Sequence, residues 1–564
     1  MVLPSGKTVQ ANQQSQSIAY SLDEGQTWTT YDTANPVINN PPPKYADQFL
    51  NFRDPFVFWH AESGKWVVVL SLAALHKLVI YTSPDLKHWT HVSEFGPVNA
   101  ADGVWECPSI FPLPLDGNTN NTKWVAQIGL NPGGPPGTVG SGTQYIVGNF
   151  NGKKFTADAD SVFPPPALPS GSTVFASFEG TSYADLGWTA TGDLIGTGPV
   201  MGTVPGQQNV TGYLGKSLVN TFLNGDATMG TLTSKPFVIT KRYINFLIGG
   251  GNALGVEGIN LLIGNQTVRQ ATGSNNEKLV WQGWDVSTYT GQTATLQIVD
   301  LSSGGWGHTN IDEISFSDIL ATQQKANWMD YGPDFYAAAT YNGLAESDRT
   351  DIAWMNNWQY GGVIPTDPWR SAMTIPRGLS LSTINNRSTI VQTPQENWNA
   401  LERANSNSIT SWNTFSNGTQ QLSFSGKALD ITLAFSDRTP SAGTSPTFGI
   451  ILRATADLTQ QTRIGYDFVT KQLFVDRTQS GDVSFDPTFA SVYRAPLAAN
   501  KNGKVNMRIF LDWSSVEVFG GDGEVTLTAQ IFPSDNGTSA FMFSTDGSTK
   551  NVRVTAQAVS SSWN

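Results

Sequence analysis

Cysteine and charge are both scarce in this chain. Cys107 is the single cysteine among 564 residues, which excludes an intrachain disulfide and any Cys-x-x-Cys metal site. Charged residues make up 14% of the sequence, and 45 acidic against 33 basic side chains give a net charge of −12. Because such a chain is poorly suited to a phosphate backbone, we expect no nucleic-acid partner. Apolar runs of about 18 residues are also lacking, so we expect no membrane span.

Aromatic residues and glycine, in contrast, are plentiful. The chain has 18 Trp, 29 Phe and 15 Tyr, together with 55 Gly and 31 Pro. This aromatic content is too high for a disordered chain, and the length suggests roughly two to four domains. A weakly charged composition rich in Trp, Thr, Asn and Gly favours an all-β protein that faces sugar or another neutral polar ligand.

The first residues lack the features of a secretory signal peptide. Met1-Val-Leu-Pro-Ser-Gly-Lys7 has neither a basic start nor an apolar stretch. Sequons of the form Asn-x-Ser/Thr nevertheless occur at six positions, which are Asn120, Asn209, Asn265, Asn386, Asn417 and Asn536. This number is compatible with secretion, and we expect an extracellular full-length protein whose signal peptide is not part of this chain.

Short apolar runs separated by turn residues dominate the pattern, and helical periodicity is scarce. Two segments resemble each other, namely Tyr20–Trp28 and Tyr81–Trp89. Each has the pattern of a strand ending near a Ser, an Asp-containing turn, and a Trp that folds back on the turn. The recurrence predicts radially repeated β-meanders, which are the blades of a β-propeller. Two unrelated hairpins with Asp turns are the alternative.

Changes of composition divide the chain into four parts. Residues 1–168 carry the propeller pattern and end in the proline-rich stretch Phe163–Pro169. Residues 172–317 are rich in Gly, Thr and Leu and have the size of a domain, which we predict to be an inserted β-sandwich. A denser aromatic pattern over 320–385 predicts the remaining blades, and alternation over 390–564 predicts a C-terminal β-sandwich.

Asp54 is the first acidic residue in an apolar, turn-bounded setting, Phe52-Arg-Asp-Pro-Phe-Val-Phe58. Pro55 biases it away from helical geometry and towards a strand edge or turn. The neighbouring Arg53 could hold a hydroxyl-bearing ligand or fix the carboxylate. A structural turn in which Asp54 pairs with Arg53 explains the same residues equally well.

Glu106 is the second such acid and lies between Trp105 and Cys107, before Pro108. An acid packed among an indole, a thiol and a proline turn is poorly solvated, which favours the protonated carboxyl. A general acid must stay protonated near working pH in order to donate to a leaving oxygen. The alternative is a Glu that points to solvent from a strand. Cys107 has no basic neighbour in sequence and is expected to be a small buried filler.

These two motifs, together with three others, resemble signatures of glycoside hydrolase family 32. The others are Trp328-Met-Asp-Tyr-Gly-Pro-Asp-Phe-Tyr-Ala337, Ile352-Ala-Trp-Met-Asn-Asn-Trp-Gln-Tyr-Gly361 and Asp512-Trp-Ser-Ser-Val-Glu-Val-Phe-Gly520. The resemblance covers about 1–165 and 320–564 and implies a five-bladed β-propeller with a C-terminal β-sandwich, as in invertases, exo-inulinases and levanases. The Cys form of the Trp-Glu-Cys-Pro motif is more similar to the exo-acting and invertase branch than to endo-inulinases.

The resemblance also implies roles for single residues. Asp54 would be the transition-state stabiliser that holds the ring hydroxyls of a fructosyl unit, and Glu106 would be the general acid/base. Arg53 would be a neighbouring sugar contact, and Trp354 would be an aromatic residue that lines the substrate site. Asp334 and Tyr336 would line a subsite or support it.

Hydrolysis with retention needs a further carboxylate as nucleophile, within about 5–5.5 Å of the acid/base. In the family it lies in a Trp-Met-Asn-Asp-Pro-Asn-Gly type segment near the start of the propeller, and this chain contains no such segment. The other Asp-Pro pairs, Asp367-Pro368 and Asp486-Pro487, lie in different contexts. The chain therefore resembles an enzyme that lacks the first blade and part of the second, so that we expect an incomplete propeller and impaired hydrolysis.

The leading hypothesis is a glycosidase that releases fructose from the end of levan or inulin, with sucrose as a further candidate substrate. We expect neither a cofactor nor a metal ion. A catalytically inactive fructan-binding protein and a fructosyltransferase are the alternatives. A different propeller glycosidase, such as an arabinanase-like enzyme, is disfavoured by the pairing of the Phe-Arg-Asp-Pro and Trp-Glu-Cys-Pro motifs.

The inserted stretch resembles a fructan-binding module found in some levanases. The segments that carry this resemblance are Leu218–Phe222, Gly225–Ser234, Ile244–Gly251 and Gly304–Asp312. Trp306, His308 and Asp312 are candidates for part of a sugar subsite. The alternative is that Trp306 belongs to the core and that His308 and Asp312 form a structural hydrogen bond.

Overall fold

The structure is a computed structural model, and it describes residues 3–164, 167–321, 325–395, 408–441 and 443–560. Two compact units emerge: unit 1 comprises residues 1–163 and 326–564, and unit 2 comprises residues 164–325. Regular structure consists of strands and 3₁₀ turns, with no α-helix in the described ranges, which confirms the all-β class. Pro165 and Pro166 of the proline-rich stretch, and the last four residues of the C-terminal domain, lie outside the described residues.

The N-terminal part of unit 1 contains ten strands and three 3₁₀ helices. The strands are β1 (Ala19–Tyr20), β2 (Thr29–Thr30), β3 (Phe52–His60), β4 (Lys65–Leu72), β5 (Lys77–Ser83), β6 (Thr90–Phe95), β7 (Val104–Leu115), β8 (Asn118–Asn131), β9 (Gly142–Phe150) and β10 (Phe155–Ala157). The 3₁₀ helices span Pro43–Gln48, Ala73–Leu75 and Ala159–Ser161. Strands β3 to β6 form a four-stranded antiparallel meander, and β7 to β10 begin a second one. Such meanders are the building blocks of propeller blades.

The two segments that resemble each other in sequence adopt the same turn. Ser21 and Ser83 each donate a hydrogen bond to the Asp two residues later, at 2.7 and 3.1 Å. The indole N–H groups of Trp28 and Trp89 each donate back to a carbonyl three residues earlier, at 3.0 and 2.9 Å. The predicted fold-back of a Trp onto an Asp turn is confirmed in both segments.

The described residues of unit 2 contain twelve strands, and all but β14 belong to one of two sheets. They are β11 (Thr173–Ala176), β12 (Thr189–Ala190), β13 (Val219–Asn220), β14 (Leu223–Asp226), β15 (Gly230–Thr233), β16 (Phe237–Val238), β17 (Tyr243–Gly250), β18 (Glu257–Ile263), β19 (Gln266–Ala271), β20 (Asn276–Asp285), β21 (Thr293–Asp300) and β22 (Thr309–Ser317). One sheet has the order β11-β22-β17-β20 and the other β12-β15-β21-β18-β19. Short 3₁₀ helices span Gly192–Leu194 and Ser287–Tyr289. An apolar cluster that includes Phe246, Ile298 and Ile311 forms the core, as in a β-sandwich.

Six strands return to unit 1 after this insertion. They are β23 (Asn327–Trp328), β24 (Tyr336–Thr340), β25 (Thr350–Met355), β26 (Ala372–Met373), β27 (Arg377–Ile384) and β28 (Arg387–Pro394), with a 3₁₀ helix at Glu346–Asp348. β24, β25 and β27 extend the second meander in the order β10-β9-β8-β7-β27-β25-β24. These six strands and the ten strands of the N-terminal part of unit 1 together form what we call the propeller region, residues 1–163 and 326–394. Its count of five blades stays a prediction.

The remaining twelve strands build a C-terminal β-sandwich. They are β29 (Ser408–Phe415), β30 (Gly418–Ser425), β31 (Leu429–Ser436), β32 (Thr447–Ala454), β33 (Gln461–Asp467), β34 (Gln472–Gln479), β35 (Val492–Pro496), β36 (Lys504–Asp512), β37 (Ser515–Gly520), β38 (Val525–Gln530), β39 (Ser539–Ser544) and β40 (Thr549–Ala558). They form two six-stranded antiparallel sheets, β29-β40-β31-β36-β37-β38 and β30-β39-β32-β33-β34-β35. The facing sides bury residues such as Phe435, Tyr466 and Ile509.

Candidate active site

Three strands of the propeller region carry the candidate residues, and each has the same backbone irregularity near its start. β-Bulges fall between Arg53 and Phe56, between Glu106 and Ser109, and between Tyr336 and Ala339. Within each bulge one residue has a positive φ angle, namely Asp54 at 59°, Cys107 at 47° and Ala337 at 50°. Left-handed backbone is uncommon for residues other than glycine, and of these three Asp adopts it most readily. Bulges re-aim side chains next to active sites. The shared distortion marks this end of β3, β7 and β24 as the candidate site.

Glu106 is held by polar groups on both carboxylate oxygens. Nε and Nη2 of Arg53 donate to its Oε1 at 3.0 and 2.9 Å. The hydroxyl group of Tyr336 donates to its Oε2 at 2.5 Å. Charge-assisted bonds of this kind fix the plane of the carboxylate. Because the side chain of Glu106 keeps 17% of its surface exposed, a ligand can still reach it.

Asp54 faces the same space as Glu106. Its Oδ2 accepts the backbone N–H of Cys107 at 2.9 Å and lies 3.9 Å from Nε of Arg53. Burial raises the pKa of Asp54, the Cys107 amide and Arg53 oppose the rise, and the charge of Glu106 adds to it. Because Cys107 directly follows Glu106, the hydrogen bond from the Cys107 amide fixes the position of Asp54 relative to the strand that carries Glu106. The structure therefore brings the two candidate carboxylates together.

Cys107 packs as a neutral side chain. Burial raises the pKa of its thiol to about 12, and the charges of Asp54 and Glu106 contribute to this rise. The thiol is therefore protonated at neutral pH, whereas the thiolate is the form that acts as a nucleophile.

The surroundings of Glu106 are more polar than its sequence neighbours suggest. Trp105 is completely buried in the core of the propeller region, and its indole N–H donates to the carbonyl of Ala100 at 2.9 Å. Neighbouring residues on a strand point to opposite faces, so Trp105 does not cover the Glu106 carboxyl group. The expectation of a carboxyl group desolvated by this flanking indole is therefore wrong, because Arg53 and Tyr336 surround it instead.

Two indole rings lie beside these residues. Trp354 pairs with Tyr336 across β24 and β25, with ring centroids 6.4 Å apart. The ring centroids of Trp358 and Trp354 are 5.3 Å apart, and Trp358 is 61% exposed. Exposed aromatic faces of this kind suit the apolar side of a sugar ring. Trp358 was missed from the sequence, although it belongs to the same motif as Trp354 and could have been found there.

Gly129 leaves the space in which Tyr336 approaches Glu106. It lies opposite Glu106 across β7 and β8. A Cβ atom at this position would lie 2.9 Å from Cε2 of Tyr336 and 3.2 Å from the carbonyl oxygen of Glu106. Any larger residue would displace the ring. No local sequence signal indicates this requirement, because Tyr336 is distant in sequence.

Asp334 does not reach this site. Its side chain is completely buried, and its Oδ2 forms an ion pair with Nη1 of Arg477 at 2.8 Å. Its Oδ1 accepts the hydroxyl group of Tyr360 at 2.7 Å, and its Oδ2 also accepts the backbone N–H of Gln530 at 2.8 Å. Of the two roles expected for Asp334, lining a subsite is wrong, because residues of the C-terminal β-sandwich cover it, and supporting the site from behind stays a prediction. Asp334 instead anchors the segment that leads into Tyr336.

Trp306 and His308 of unit 2 lie together at an acidic cluster. The two rings are stacked with centroids 5.7 Å apart, and Trp306 is half-buried. Nδ1 of His308 bonds to Oδ1 of Asp226 at 2.7 Å, and its Nε2 lies 3.2 Å from Oε1 of Glu277. Burial alone would lower the pKa of His308, but Glu277 and Asp226 outweigh it and raise that pKa.

Asp312 lies apart from this pair. Its Oδ2 accepts the backbone N–H of Leu214 at 2.7 Å, and burial raises its pKa to about 7. It pairs in register with Leu247, which belongs to a different apolar cluster from the main core of unit 2. The alternative of a His308–Asp312 hydrogen bond is wrong, because these two side chains have different partners. That Trp306, His308 and Asp312 form part of a sugar subsite stays a prediction.

Neither a metal centre nor a membrane helix is evident in the described parts of the chain. No group of three or more His, Cys, Asp or Glu side chains there is arranged to hold a metal ion. No helix among those residues is long and apolar enough to cross a membrane.

Two family models match most of the sequence. The glycosyl hydrolases family 32 N-terminal domain matches residues 2–185 and 288–394, and the family 32 C-terminal domain matches residues 397–558. The chain belongs to glycosyl hydrolase family 32. Residues 186–287, which neither model matches, lie within unit 2.

Relatives from Aspergillus support this membership. A glycosyl hydrolase of Aspergillus rugulosus is 57% identical over 564 residues, covering 100% of this chain and 79% of the relative. An extracellular exo-inulinase of Aspergillus niger is 44% identical over 562 residues, covering 100% of this chain and 74% of the relative. The crystal structure of exo-inulinase from Aspergillus awamori matches with a TM-score of 0.69 and 42% identity, covering 100% of this chain and 78% of that one.

Proposed function

We propose that this family 32 chain carries the acid/base half of a β-fructosidase site that releases fructose from the end of levan or inulin. The observation that carries the proposal is the Glu106 carboxylate, held by Arg53 and Tyr336 beside Asp54 at three bulged strand starts. The similarity to extracellular exo-inulinases supports a fructan substrate and a secreted protein. Glycosidases of this type use paired carboxylates on either side of the scissile bond.

Glu106 is assigned the role of general acid/base. Its Oε1 faces two N–H groups of Arg53, so the proton of the acid form belongs on Oε2. From Oε2 it can pass to the leaving oxygen, and the hydroxyl group of Tyr336 holds this oxygen in place. Arg53 and Tyr336 are thus positioning residues for the acid.

Asp54 is assigned the role of transition-state stabiliser. The Cys107 amide occupies its Oδ2, which leaves Oδ1 to accept hydroxyl groups of a fructosyl ring. A carboxylate fixed in this way stabilises an oxocarbenium-like transition state without reorganising at the moment of reaction. The rings of Trp354 and Trp358 provide the adjacent stacking surface.

Retaining double displacement also requires a nucleophile, and no Asn-Asp-Pro segment of the family type occurs in these 564 residues. Burial raises the pKa of the Tyr336 hydroxyl group, and Glu106 and Asp54 add to this rise. Neither forms the glycosyl-enzyme intermediate in this assignment. We therefore infer that these residues by themselves hydrolyse fructans slowly, since catalytic groups act as a unit.

The test compares fructose release from levan, inulin and sucrose. A homologous N-terminal segment carrying the Asn-Asp-Pro motif is joined to the chain, and Glu106→Gln and Asp54→Asn are introduced separately. Each variant should lose at least about a hundredfold in kcat/KM, and Glu24→Gln on an exposed turn should lose nothing. Full activity of Glu106→Gln would refute the assignment.

Fructan binding by unit 2 is a second candidate function. It is favoured by the half-buried indole of Trp306, which is stacked on His308 beside two carboxylates. Levan should retard unit 2 in affinity electrophoresis, and Trp306→Ala should abolish the retardation. Ile195→Ala, at a residue that is 68% exposed, is the matched control. A folded unit 2 that neither levan nor inulin retards would remove this function.

A further inference from the structure

The guanidinium group of Arg53 donates hydrogen bonds to two further side chains besides that of Glu106. Its Nε and Nη2 donate to Oε1 of Glu106 at 3.0 and 2.9 Å. The remaining nitrogen, Nη1, donates to Oε1 of Gln14 at 3.3 Å and to Oδ1 of Asn51 at 3.2 Å. Because a guanidinium group only donates hydrogen bonds, both amide side chains must turn their oxygen atoms towards it. Gln14 and Asn51 therefore accept the donors of Arg53 that Glu106 leaves over.

Hydrogen bonds also fix the backbone that carries these two amides. The N–H of Gln14 donates to the carbonyl of Phe49 at 2.9 Å. Two residues later, Nε2 of Gln16 donates to the carbonyl of Phe52 at 3.0 Å, and Gln16 is only 9% exposed. Asn51 lies between Phe49 and Phe52 in sequence. The segment before β1 is therefore fastened to the residues that lead into β3, with both amides at the junction.

The contact with Glu106 does not by itself define the orientation of Arg53. Nε and Nη2 both bind the same oxygen, Oε1, instead of taking one carboxylate oxygen each as in a two-point contact. The arginine side chain has many rotamers, and 21% of this one is exposed, so that water competes for its donors. The two acceptors at Nη1 restrict the plane of the guanidinium group further. The hold of Arg53 on Glu106 therefore depends on Gln14 and Asn51.

We propose that Gln14 and Asn51 are positioning residues for the general acid and act on it through Arg53. This inference rests on the proposed role of Glu106. By binding Nη1, the two amides keep Nε and Nη2 on Oε1 of Glu106, which leaves Oε2 to carry the proton for the leaving oxygen. Loss of the two amides should therefore slow cleavage where the leaving oxygen needs a proton and spare it where none is needed.

Two substrates that differ in their need for a proton test this role. Gln14→Met and Asn51→Leu, which keep much of the side-chain volume but lack the acceptor, are combined in the 564-residue chain. Azide takes the fructosyl group from sucrose, whose leaving oxygen needs a proton, or from a nitrophenyl β-fructofuranoside, whose phenolate departs without one. The double variant should lose about tenfold in the rate on sucrose and less than about twofold on the nitrophenyl substrate. Gln26→Leu, on an exposed turn, should lose neither.

The chemical reactivity of Arg53 is a second measurement, and it does not depend on turnover. Phenylglyoxal modifies accessible guanidinium groups, and mass spectrometry follows the rate at the peptide that contains Arg53. This rate should rise several-fold in the double variant, because two hydrogen bonds to Nη1 are lost, and stay unchanged in Gln26→Leu. Arg494, whose side chain is 42% exposed, is the internal reference in each variant.

The outcomes separate this inference from the proposed function. Equal losses on the two substrates would show that Gln14 and Asn51 serve the fold alone and would overturn the inference. An unchanged modification rate at Arg53 would also overturn it, as would full activity of the double variant on sucrose while Glu106→Gln loses that activity. These three results leave the proposed function intact. If Glu106→Gln cleaves sucrose as fast as the unaltered chain, or if azide promotes cleavage of neither substrate, the proposed function fails and the inference fails with it.

Discussion

Replacing Arg477 by Met should destabilise unit 1 strongly. Arg477 is completely buried where the C-terminal β-sandwich meets the propeller region, and its Nη1 lies 2.8 Å from Oδ2 of Asp334. Its Nη2 donates to the hydroxyl groups of Tyr360 and Tyr493, both at 2.9 Å, and its Nε donates to the carbonyl of Phe489 at 2.7 Å. Every donor nitrogen of this guanidinium group has an acceptor.

The magnitude follows from what the variant leaves behind. Met fills much of the space, but the Asp334 carboxylate stays buried with only the Tyr360 hydroxyl group and the Gln530 amide as partners. Breaking a buried ion pair by removing one partner costs about 3–5 kcal/mol. The double variant Arg477→Met/Asp334→Asn removes the charge as well and should be less destabilised than the single effects add up to.

Urea unfolding followed by tryptophan fluorescence measures the effect. The midpoint urea concentration of the first unfolding transition of unit 1 is compared among the variants. Arg494→Met is the matched control, because Arg494 is 42% exposed in its side chain and lies 3.6 Å from Asp467. Exposed pairs of this kind contribute less than about 1 kcal/mol. Equal shifts for Arg477→Met and Arg494→Met would refute the reasoning.

Three further predictions concern the acid, unit 2 and secretion. Tyr336→Phe removes the donor to Oε2 of Glu106 and should lower kcat by roughly tenfold to a hundredfold in the chain joined to an Asn-Asp-Pro segment, whereas Tyr341→Phe should not. Burial raises the pKa values of Asp300 and Asp312 to about 7, so both bind protons in the folded state at pH values where the unfolded chain has lost them. The stability of unit 2 should therefore fall between about pH 4 and pH 7, seen by calorimetry as a higher unfolding temperature at pH 5 than at pH 8, and Asp300→Asn should flatten the profile. A chain secreted by a eukaryotic host should lose mass on treatment with a peptide glycosidase, because all six sequon residues are exposed: Asn120, Asn209, Asn265, Asn386, Asn417 and Asn536; an unchanged mass would contradict this.

Local chemistry made part of the fold and site predictable. The Ser–Asp–Trp turns at Tyr20–Trp28 and Tyr81–Trp89 are closed by residues within a few positions of each other, so the sequence contains the whole interaction. The pairing of Asp54 with Glu106 was reachable from two short motifs, because each motif places its acid at the start of a strand.

The rest depends on contacts that are distant in sequence. The motif around Asp334 predicts a residue at the site, but its carboxylate forms a buried ion pair with Arg477, which belongs to the C-terminal β-sandwich. The partners of His308 are likewise Asp226 and Glu277, which no spacing rule connects to it. Positive φ angles at Asp54 and Cys107 are imposed by bulges in the sheets, which a single sequence does not reveal.

The most direct test of the proposed assignment supplies a nucleophile from solution. Azide is added to the 564-residue chain with sucrose, a fructoside whose leaving oxygen needs a proton in order to depart. Azide forms the bond to the anomeric carbon, the carbon–oxygen bond to the leaving group breaks, and Glu106 donates its proton to the departing oxygen. We expect slow cleavage without azide, acceleration by azide with a fructosyl azide of inverted configuration as the product, and loss of the acceleration in Glu106→Gln. Rapid hydrolysis without azide that azide does not change would contradict the assignment.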